Sequence, residues 1–294
     1  MHYLFVINPI AGGKKDGRAI GNRILNFFSD HSEITAEIKI SEEPGQGGWF
    51  AREAVKKKYD AVIAVGGDGT VNEIGGSLLN SDTALGIIPD GSGNGFARSM
   101  DIPLKFKKAL HVLIRPKFKT IDTGQLNKLH FMGIAGVGYD AQLSSRFEKS
   151  KTRGPIPYFY YGFLELFRYP FDELQIIIDD QQKLKIDPLL VTIANTQQYG
   201  NGAVIAPMAD VQDGLFDLCI IDRLSFSAAV KNVRFLFNKH IERSNIYHHH
   251  QCDHLTIHRK KPGWVHVDGD PVWEDNELNV QINKQSLNVI VPAP

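Results

Sequence analysis

The chain has 294 residues, 43% hydrophobic and 22% charged, and its 33 basic and 33 acidic side chains cancel. This composition excludes a disordered, collagen-like or coiled-coil chain, and the absent net charge removes any global field drawing the protein onto nucleic acid or an anionic membrane. At roughly 150 residues per domain, the length predicts two domains.

From Tyr3 to about Arg115, short apolar runs alternate with helical stretches. Strands are predicted over Tyr3 to Asn8, Ile34 to Ile40, Ala61 to Val65 and Leu85 to Pro89. Helices follow each of them, over Asp16 to Asp30, Gly45 to Lys58, Thr70 to Asn80, and Gly95 to Met100 continuing into Lys105 to Arg115. Such βαβ units build a doubly wound parallel sheet covered by helices, an α/β domain over residues 1–118.

After Lys117, β-rich segments come at short intervals: Lys119 to Leu126, His130 to Ala135, Glu173 to Ile178, Lys185 to Asn195, Leu215 to Asp222, Asp253 to Arg259, Trp264 to Val267, Glu277 to Ile282 and Leu287 to Val291. The spacing predicts an antiparallel β-sandwich over residues 119–294, whose last segment is expected to return to the first domain. Helical patterns interrupt it at Asp140 to Lys149, Pro155 to Tyr169 and Phe226 to Phe237.

No apolar run approaches the roughly 18 residues that span a bilayer, and Met1 to Tyr3 lead straight into a strand rather than a signal peptide. The expected location is cytoplasmic. Cys219 and Cys252 offer neither a disulfide framework nor a metal-ligand spacing, and Cys219, within an apolar run, reads as packing. Tyr247-His248-His249-His250 reads as a solvated loop, because adjacent histidines cannot all face one metal.

The most informative segment is the buried strand Ala61 to Val65 followed by Gly66-Gly67-Asp68-Gly69-Thr70-Val71-Asn72-Glu73. Its glycines let the backbone approach a ligand and point N–H groups outward. Thr70 and Glu73 have capping-box spacing, so a helix is predicted to start there with its positive end free for phosphate. Asp68 is out of place among phosphate-binding amides unless it accepts a hydroxyl's hydrogen bond or works with Mg²⁺ on a nucleotide, which points to kinase chemistry. An ordinary glycine turn with a surface aspartate is the plain alternative. Two more loops follow strands of the same half: Asn8-Pro9-Ile10-Ala11-Gly12-Gly13 and Pro89-Asp90-Gly91-Ser92-Gly93-Asn94-Gly95-Phe96. In an open α/β sheet ligands bind beyond the carboxyl ends of the strands, so the three loops are expected to share one crevice.

These residues resemble the diacylglycerol kinase and sphingosine kinase family of lipid kinases over nearly the whole chain. Gly66-Gly67-Asp68-Gly69-Thr70 is shared with NAD kinases and phosphofructokinases, whereas Asn8-Pro9 with Gly12-Gly13, and Gly91-Ser92-Gly93-Asn94-Gly95-Phe96-Ala97-Arg98, narrow the likeness to lipid kinases. By this resemblance, Asn8, Pro9, Ile10, Ala11 and Gly12, with Gly66, Gly67, Asp68, Gly69, Thr70, Val71, Asn72, Ser92 and Ser41, would hold ATP. Ser41 reads equally as a helix cap ahead of Glu42-Glu43-Pro44.

The resemblance places a structural Mg²⁺ on Asp210, Asp213 and the carbonyl of Leu215, a donor set suited to a hard cation; the plain reading of Asp213-Gly214 is a loop feeding the next strand. It also places the general base in Val267-Asp268-Gly269-Asp270-Pro271, with Asp268 first and Asp270 as its partner or alternative, in a segment that also reads as an Asp-Gly hairpin turn. Asp68 would organise the acceptor or the nucleotide's Mg²⁺. Gly133 stands where the family usually has Asn, and Gly95 where many bacterial diacylglycerol kinases have Asp.

The activity implied is transfer of the γ-phosphoryl group of ATP to a hydroxyl of a membrane lipid such as diacylglycerol or a sphingoid base, by an enzyme that visits the membrane surface. Pro157 to Phe167, preceded by Lys149, Lys151 and Arg153, is either its contact face or core. The expected partners are ATP and the lipid, with no nucleic acid, and a homodimer is left open. The rival readings are a soluble NAD kinase and a non-catalytic lipid- or nucleotide-binding regulator of the same fold.

Overall fold

The computed structural model describes residues 1–11, 13, 16–91, 93–139, 141–143, 173–200, 202–223, 232 and 234–293. The chain forms two compact units, one of Met1–Ile121 with Gln285–Pro294 and the other of Asp122–Lys284.

The first unit alternates strand and helix: β1 (His2–Ile7), α1 (Gly17–Phe28), β2 (Thr35–Ile40), α2 (Gln46–Lys56), β3 (Ala61–Gly66), α3 (Asp68–Leu78), β4 (Ala84–Pro89), α4 (Gly95–Ser99) and α5 (Phe106–Val112). Its strands run in the order β2-β1-β3-β4 with every neighbouring pair parallel. Every residue of β3 and β4 is buried, as expected of central strands covered on both faces. Asp16 caps α1 by accepting from the N–H groups of Arg18 and Ala19. Ile20, Ile24 and Phe28 of α1 form an i, i+4, i+8 stripe, which packs with Ala109, Leu110 and Leu113 against Tyr3, Phe5, Ile7 and Ile63. The helical stretches expected at Gly95 to Met100 and Lys105 to Arg115 form as α4 and α5, separated because Asp101 takes a left-handed φ of +56° and Pro103 disfavours helix in the residue before it.

The chain enters the second unit along β5 (Lys117–Leu126), followed by β6 (Leu129–Phe131), β7 (Ile134–Gly138), β8 (Leu174–Ile178), β9 (Gln182–Ile186), β10 (Pro188–Ala194), β11 (Gln198–Gly200), β12 (Ala203–Val204), β13 (Phe216–Asp222), β14 (Tyr247–Cys252), β15 (His254–Arg259), β16 (Gly263–Val267), β17 (Asp270–Glu274) and β18 (Glu277–Val291). One antiparallel sheet has the order β14-β13-β10-β7-β16-β17. Opposite it, β15 pairs antiparallel with both β8 and the first part of β18, and β9 extends β8. Alternate residues of the two layers meet in one core, with Val191, Ile193, Phe216 and Leu218 on one side and Ile176, Leu255, Ile257 and Leu278 on the other. The outer face of β10 and β13 is also covered, by a cluster holding Ala194, Cys219, Ile205 and Ile241, so β13 reads as a nearly continuous apolar run.

Several sequence expectations are corrected here. The segment His130 to Ala135 breaks into β6 and β7 at Met132-Gly133, and Lys185 to Asn195 breaks at Asp187 before Pro188. The two segments from Glu277 to Val291 are one 15-residue strand, which tolerates a left-handed Gln285 at φ +47°. Tyr247 to His250 is strand rather than loop, because His248 meets Asp222 at 2.8 Å and His249 meets the buried Asp217 on the neighbouring strand. The helical expectations at 140–149, 155–169 and 226–237, and the aromatic segment 157–167, lie wholly or largely outside the described residues. Among the described residues no helix is long and apolar enough to cross a membrane.

Candidate active site

In the first unit the strand order reverses between β1 and β3, since β1 feeds β2 on one side and β3 lies on the other. The carboxyl ends of such strands diverge into a crevice. Three consecutive main-chain bonds line up the loops there: Ser41 N–H to Ile7 O at 2.9 Å, Asn8 N–H to Val65 O at 3.0 Å, and Asp90 N–H to Gly66 O at 2.8 Å. The loops beginning at Asn8, Gly67 and Asp90 therefore lie side by side.

Side chains then tie loop to loop. Asn8 Nδ2 donates to Thr70 Oγ1 at 2.9 Å while its Oδ1 accepts from Ile10 N–H at 3.0 Å. A Cβ on Gly66 would lie 2.6 Å from Thr70 Oγ1, and one on Gly91 would lie 2.6 Å from Gly67 Cα, so Gly66 makes room for the threonine side chain and Gly91 for the main chain of the next loop. Asn94, only 8% exposed and at φ +50°, closes the third loop by accepting from Gly91 N–H at 3.0 Å and donating to Gly91 O at 2.7 Å. Its role was not predicted, although its place in a Gly-x-Gly-Asn-Gly string is a turn signal.

The capping box expected from Thr70 and Glu73 does not form. The helix starts earlier, with Gly67 as N-cap, no side-chain cap, and Asp68 in the first turn. Thr70 is instead occupied by Asn8, and Glu73 reaches across to accept from Gly48 N–H of α2 at 2.8 Å. With glycine at the N-cap, the start of α3 is a helix N-terminus, whose dipole favours an anion. Asp68 sits half-buried between this end and α4, with Phe96 N–H 3.4 Å from Oδ1. A Cβ on Gly93 would approach its Oδ2 to 3.1 Å.

Of the other residues assigned to ATP by resemblance, Ile10 is exposed, while Pro9 and Ala11 are half-buried in the turned loop after β1. Gly69 and Asn72 are half-buried on α3, whereas the Val71 side chain is buried and its N–H is spent on Gly67 O at 3.0 Å. Ser41 is no helix cap: α2 is capped by Gly45 at φ +84°, and Ser41 Oγ donates to Ile7 O at 3.2 Å. Gly12 and Ser92 lie outside the described residues.

In the second unit, Asp268 and Gly269 are the two central residues of the β16–β17 hairpin, at φ +49° and +92°, with Val267 paired to Asp270. Both φ values are positive, the geometry of a type I′ turn that Asp-Gly supplies at low cost. The Asp268 carboxylate accepts three main-chain N–H bonds, from Met132 at 2.8 Å, Gly133 at 2.8 Å and Ile134 at 2.9 Å. Gly133 is the closest fit in this cradle, for a Cβ there would stand 3.0 Å from Asp268 Oδ1 and 3.1 Å from Thr196 Oγ1. Asn195, fully buried, fastens the same bend by donating from Nδ2 to Met132 O at 2.7 Å and Asp122 O at 2.8 Å. Asp270 is exposed on the partner strand. The sequence reading missed Asn195 and Thr196, whose contacts arise only from tertiary folding.

Asp210 and Asp213 shape the loop before β13. Asp210 Oδ1 accepts from Gln212 N–H at 3.1 Å and Asp213 Oδ1 from Leu215 N–H at 3.0 Å, while Gly214 N–H donates to the buried Asp122 at 2.8 Å. Partial burial pushes the Asp213 carboxyl above its ordinary value, and the carboxylates of Asp210, Asp217 and Asp122 add to the rise. Asp217 is 1% exposed, and its Oδ2 has no hydrogen-bond partner among the described residues. Two carboxylates three residues apart in one loop are a donor pair suited to a hard cation that takes oxygen ligands.

The chain thus joins a parallel-sheet unit with glycine loops at its switch point to a sandwich unit with an aspartate turn and an acidic loop. Residues 2–126 match the diacylglycerol kinase catalytic domain, and residues 133–291 match the YegS C-terminal NAD kinase beta sandwich-like domain; the chain belongs to this family of YegS-like lipid kinases. It is 30% identical to a probable lipid kinase YegS-like of Yersinia enterocolitica over 75% of each chain. It also shares the fold of a putative diacylglycerol kinase from Bacillus anthracis, with a TM-score of 0.79 at 21% identity over 99% of this chain and 96% of that one. An NAD kinase from Archaeoglobus fulgidus, solved in complex with ATP, is a more distant fold neighbour, with a TM-score of 0.53 at 14% identity over 99% and 94% of the two chains.

Proposed function

We propose that this chain transfers the γ-phosphoryl group of ATP to a hydroxyl of a membrane lipid such as diacylglycerol or a sphingoid base. The observation that supports the reading is the start of α3, a helix N-terminus that begins at Gly67 at the sheet's switch point, beside the glycine loops after β1 and β4. Phosphoryl transfer asks the protein chiefly for positioning and charge stabilisation, and a helix N-terminus lined by close-approach glycines supplies both for phosphate. Asn8, Thr70 and Ser41 hold that loop set, and Asp68 faces the acceptor or the nucleotide's Mg²⁺.

Asp268 is the proton acceptor in this reading. The amides of residues 132–134 fix the orientation of this carboxylate, and a carboxylate held in that way suits a proton acceptor. Asp270 serves as its partner. Asp210, Asp213 and the Leu215 carbonyl would hold Mg²⁺, which supplies charge neutralisation to the acidic loop when bound.

The test is a labelled-phosphate assay with ATP over a panel of diacylglycerol, sphingoid bases, phosphatidylglycerol and NAD. Lipid labelling without NAD labelling is expected, and turnover of NAD alone would overturn the acceptor class. Asp268→Asn is expected to lower kcat by at least about 10²-fold, the usual scale of general-base loss, with ATP affinity little changed. Unaltered kcat would remove Asp268 from the role.

A further inference from the structure

The loop Arg259-Lys260-Lys261-Pro262-Gly263 and the β16–β17 hairpin form a surface that the phosphotransfer reading leaves unused. Trp264 and Trp273 are directly paired across the hairpin, so their indoles share one face, with ring centroids 5.3 Å apart and planes at 87°. It is the face away from the core, since Val265, Val267 and Val272 point the other way into the sandwich. Trp273 is 57% exposed, and β17 is the edge of its sheet. The indoles, Gly138 and Pro262 line a dent of about 280 Å³ together with Arg259 and Lys261.

The cations are built into this place. Arg259, only 9% exposed, donates to the carbonyls of Asp275, Trp264, Gly263 and Glu274, which holds its guanidinium under the loop. Lys260 and Lys261 are exposed beside it. Glu173 pairs with Lys185 at 3.4 Å and with the exposed Lys260 at 3.7 Å, and the Glu274 carboxylate accepts from Asn127. Strand pairing with a second copy is disfavoured, because Pro271 removes a donor from β17 and Asp270 and Glu274 place charge at its two ends. Paired indoles beside lysines match a headgroup boundary, where an amphipathic ring sits between water and acyl chain and a cation meets phosphate.

We infer that the Trp264–Trp273 face, with Lys260 and Lys261, docks the protein on an anionic phospholipid bilayer. This stands apart from the catalytic reading, because vesicle binding is measured without nucleotide or acceptor.

The test uses the full chain in sedimentation with vesicles of phosphatidylcholine and phosphatidylglycerol at 7:3, against pure phosphatidylcholine. The parent is expected to bind the anionic vesicles more tightly, with the advantage lost in high salt. Trp273→Ala should weaken that binding about tenfold, Trp273→Phe less so, and Lys260→Ala with Lys261→Ala about fivefold per lysine. Circular dichroism and unfolding midpoints check that each variant is folded. In a Trp49→Phe background, the remaining indole fluorescence should shift to the blue on binding. Equal binding by parent and variants overturns the proposal, as does a parent that binds neither vesicle. A lipid-free dimer that Trp273→Ala dissociates would assign the face to a second copy and likewise overturn it.

Discussion

Gly67 and Gly91 show how little room the loops after β3 and β4 have. Gly91 is needed because the Gly67 backbone stands where its side chain would go, 2.6 Å from a Cβ, while a Cβ on Gly67 would stand 3.2 Å from Gly91 Cα. Main chain cannot swing aside as a lysine tip would, so Gly91→Ala should cost about 1–3 kcal/mol, the usual range for overpacking. It should also weaken ATP binding, because the two loops must separate. Urea unfolding and calorimetric titration read the two effects, and a variant with parental stability and affinity would show that the loops do not touch in solution. Asp68 is a second residue with two duties, since the same carboxylate that reaches toward Phe96 N–H is the one proposed to face the nucleotide's metal.

At the scale of the element, the β16–β17 hairpin and the bend between β6 and β7 act as one piece. The Asp268 carboxylate holds three amides of the bend, and Asn195 holds two carbonyls flanking it. Asn195→Ala would leave those buried carbonyls without their donor and should cost about 2–4 kcal/mol, read as a lowered urea midpoint. An unchanged midpoint would mean that the bend stands without it. Much of this hairpin was legible in the sequence: alternating Val265, Val267 and Val272 around Asp-Gly is a local signal. The bend was not, because it interrupts an apolar run for partners 63 and 135 residues distant, and residues so far apart are matched only by the fold. The same reason hid the strand of histidines, whose acidic partners Asp217 and Asp222 lie on β13. The start of α3 was misplaced by two residues for the opposite cause, since Thr70 and Glu73 had a good local alternative that tertiary partners outbid.

At the scale of the whole molecule, stability should respond to pH and to cations. His254 Nδ1 lies 2.5 Å from Asp253 and 3.7 Å from Asp179, and its Nε2 lies 3.2 Å from Asp180; these bonds raise its pKa above the ordinary imidazole value. A raised histidine stabilises the fold fully below its unfolded pKa of about 6.5, and that contribution fades as pH climbs through the folded value. The side chain is 42% exposed, so the effect should stay within about 1 kcal/mol. Urea midpoints across this window should slope for the parent and flatten for His254→Gln; parallel profiles would remove His254 as the cause. Mg²⁺ should act the other way round, raising Tm of the parent by relieving the crowding of Asp210 and Asp213, and leaving Asp210→Ala with Asp213→Ala unmoved. An equal rise in both would place the ion elsewhere.

The β18 segment has a consequence for how the protein is made. Val289 lies beside Leu85 of β4, and Ile290 belongs to the core of the first unit, yet the ribosome reaches them only after the entire second unit has been synthesised. The nucleotide-binding unit therefore waits with one flank of its sheet open while the sandwich emerges, which reverses the usual N-terminal-first order of maturation. A nascent chain halted before Gln285 should expose that flank to chaperones and proteases.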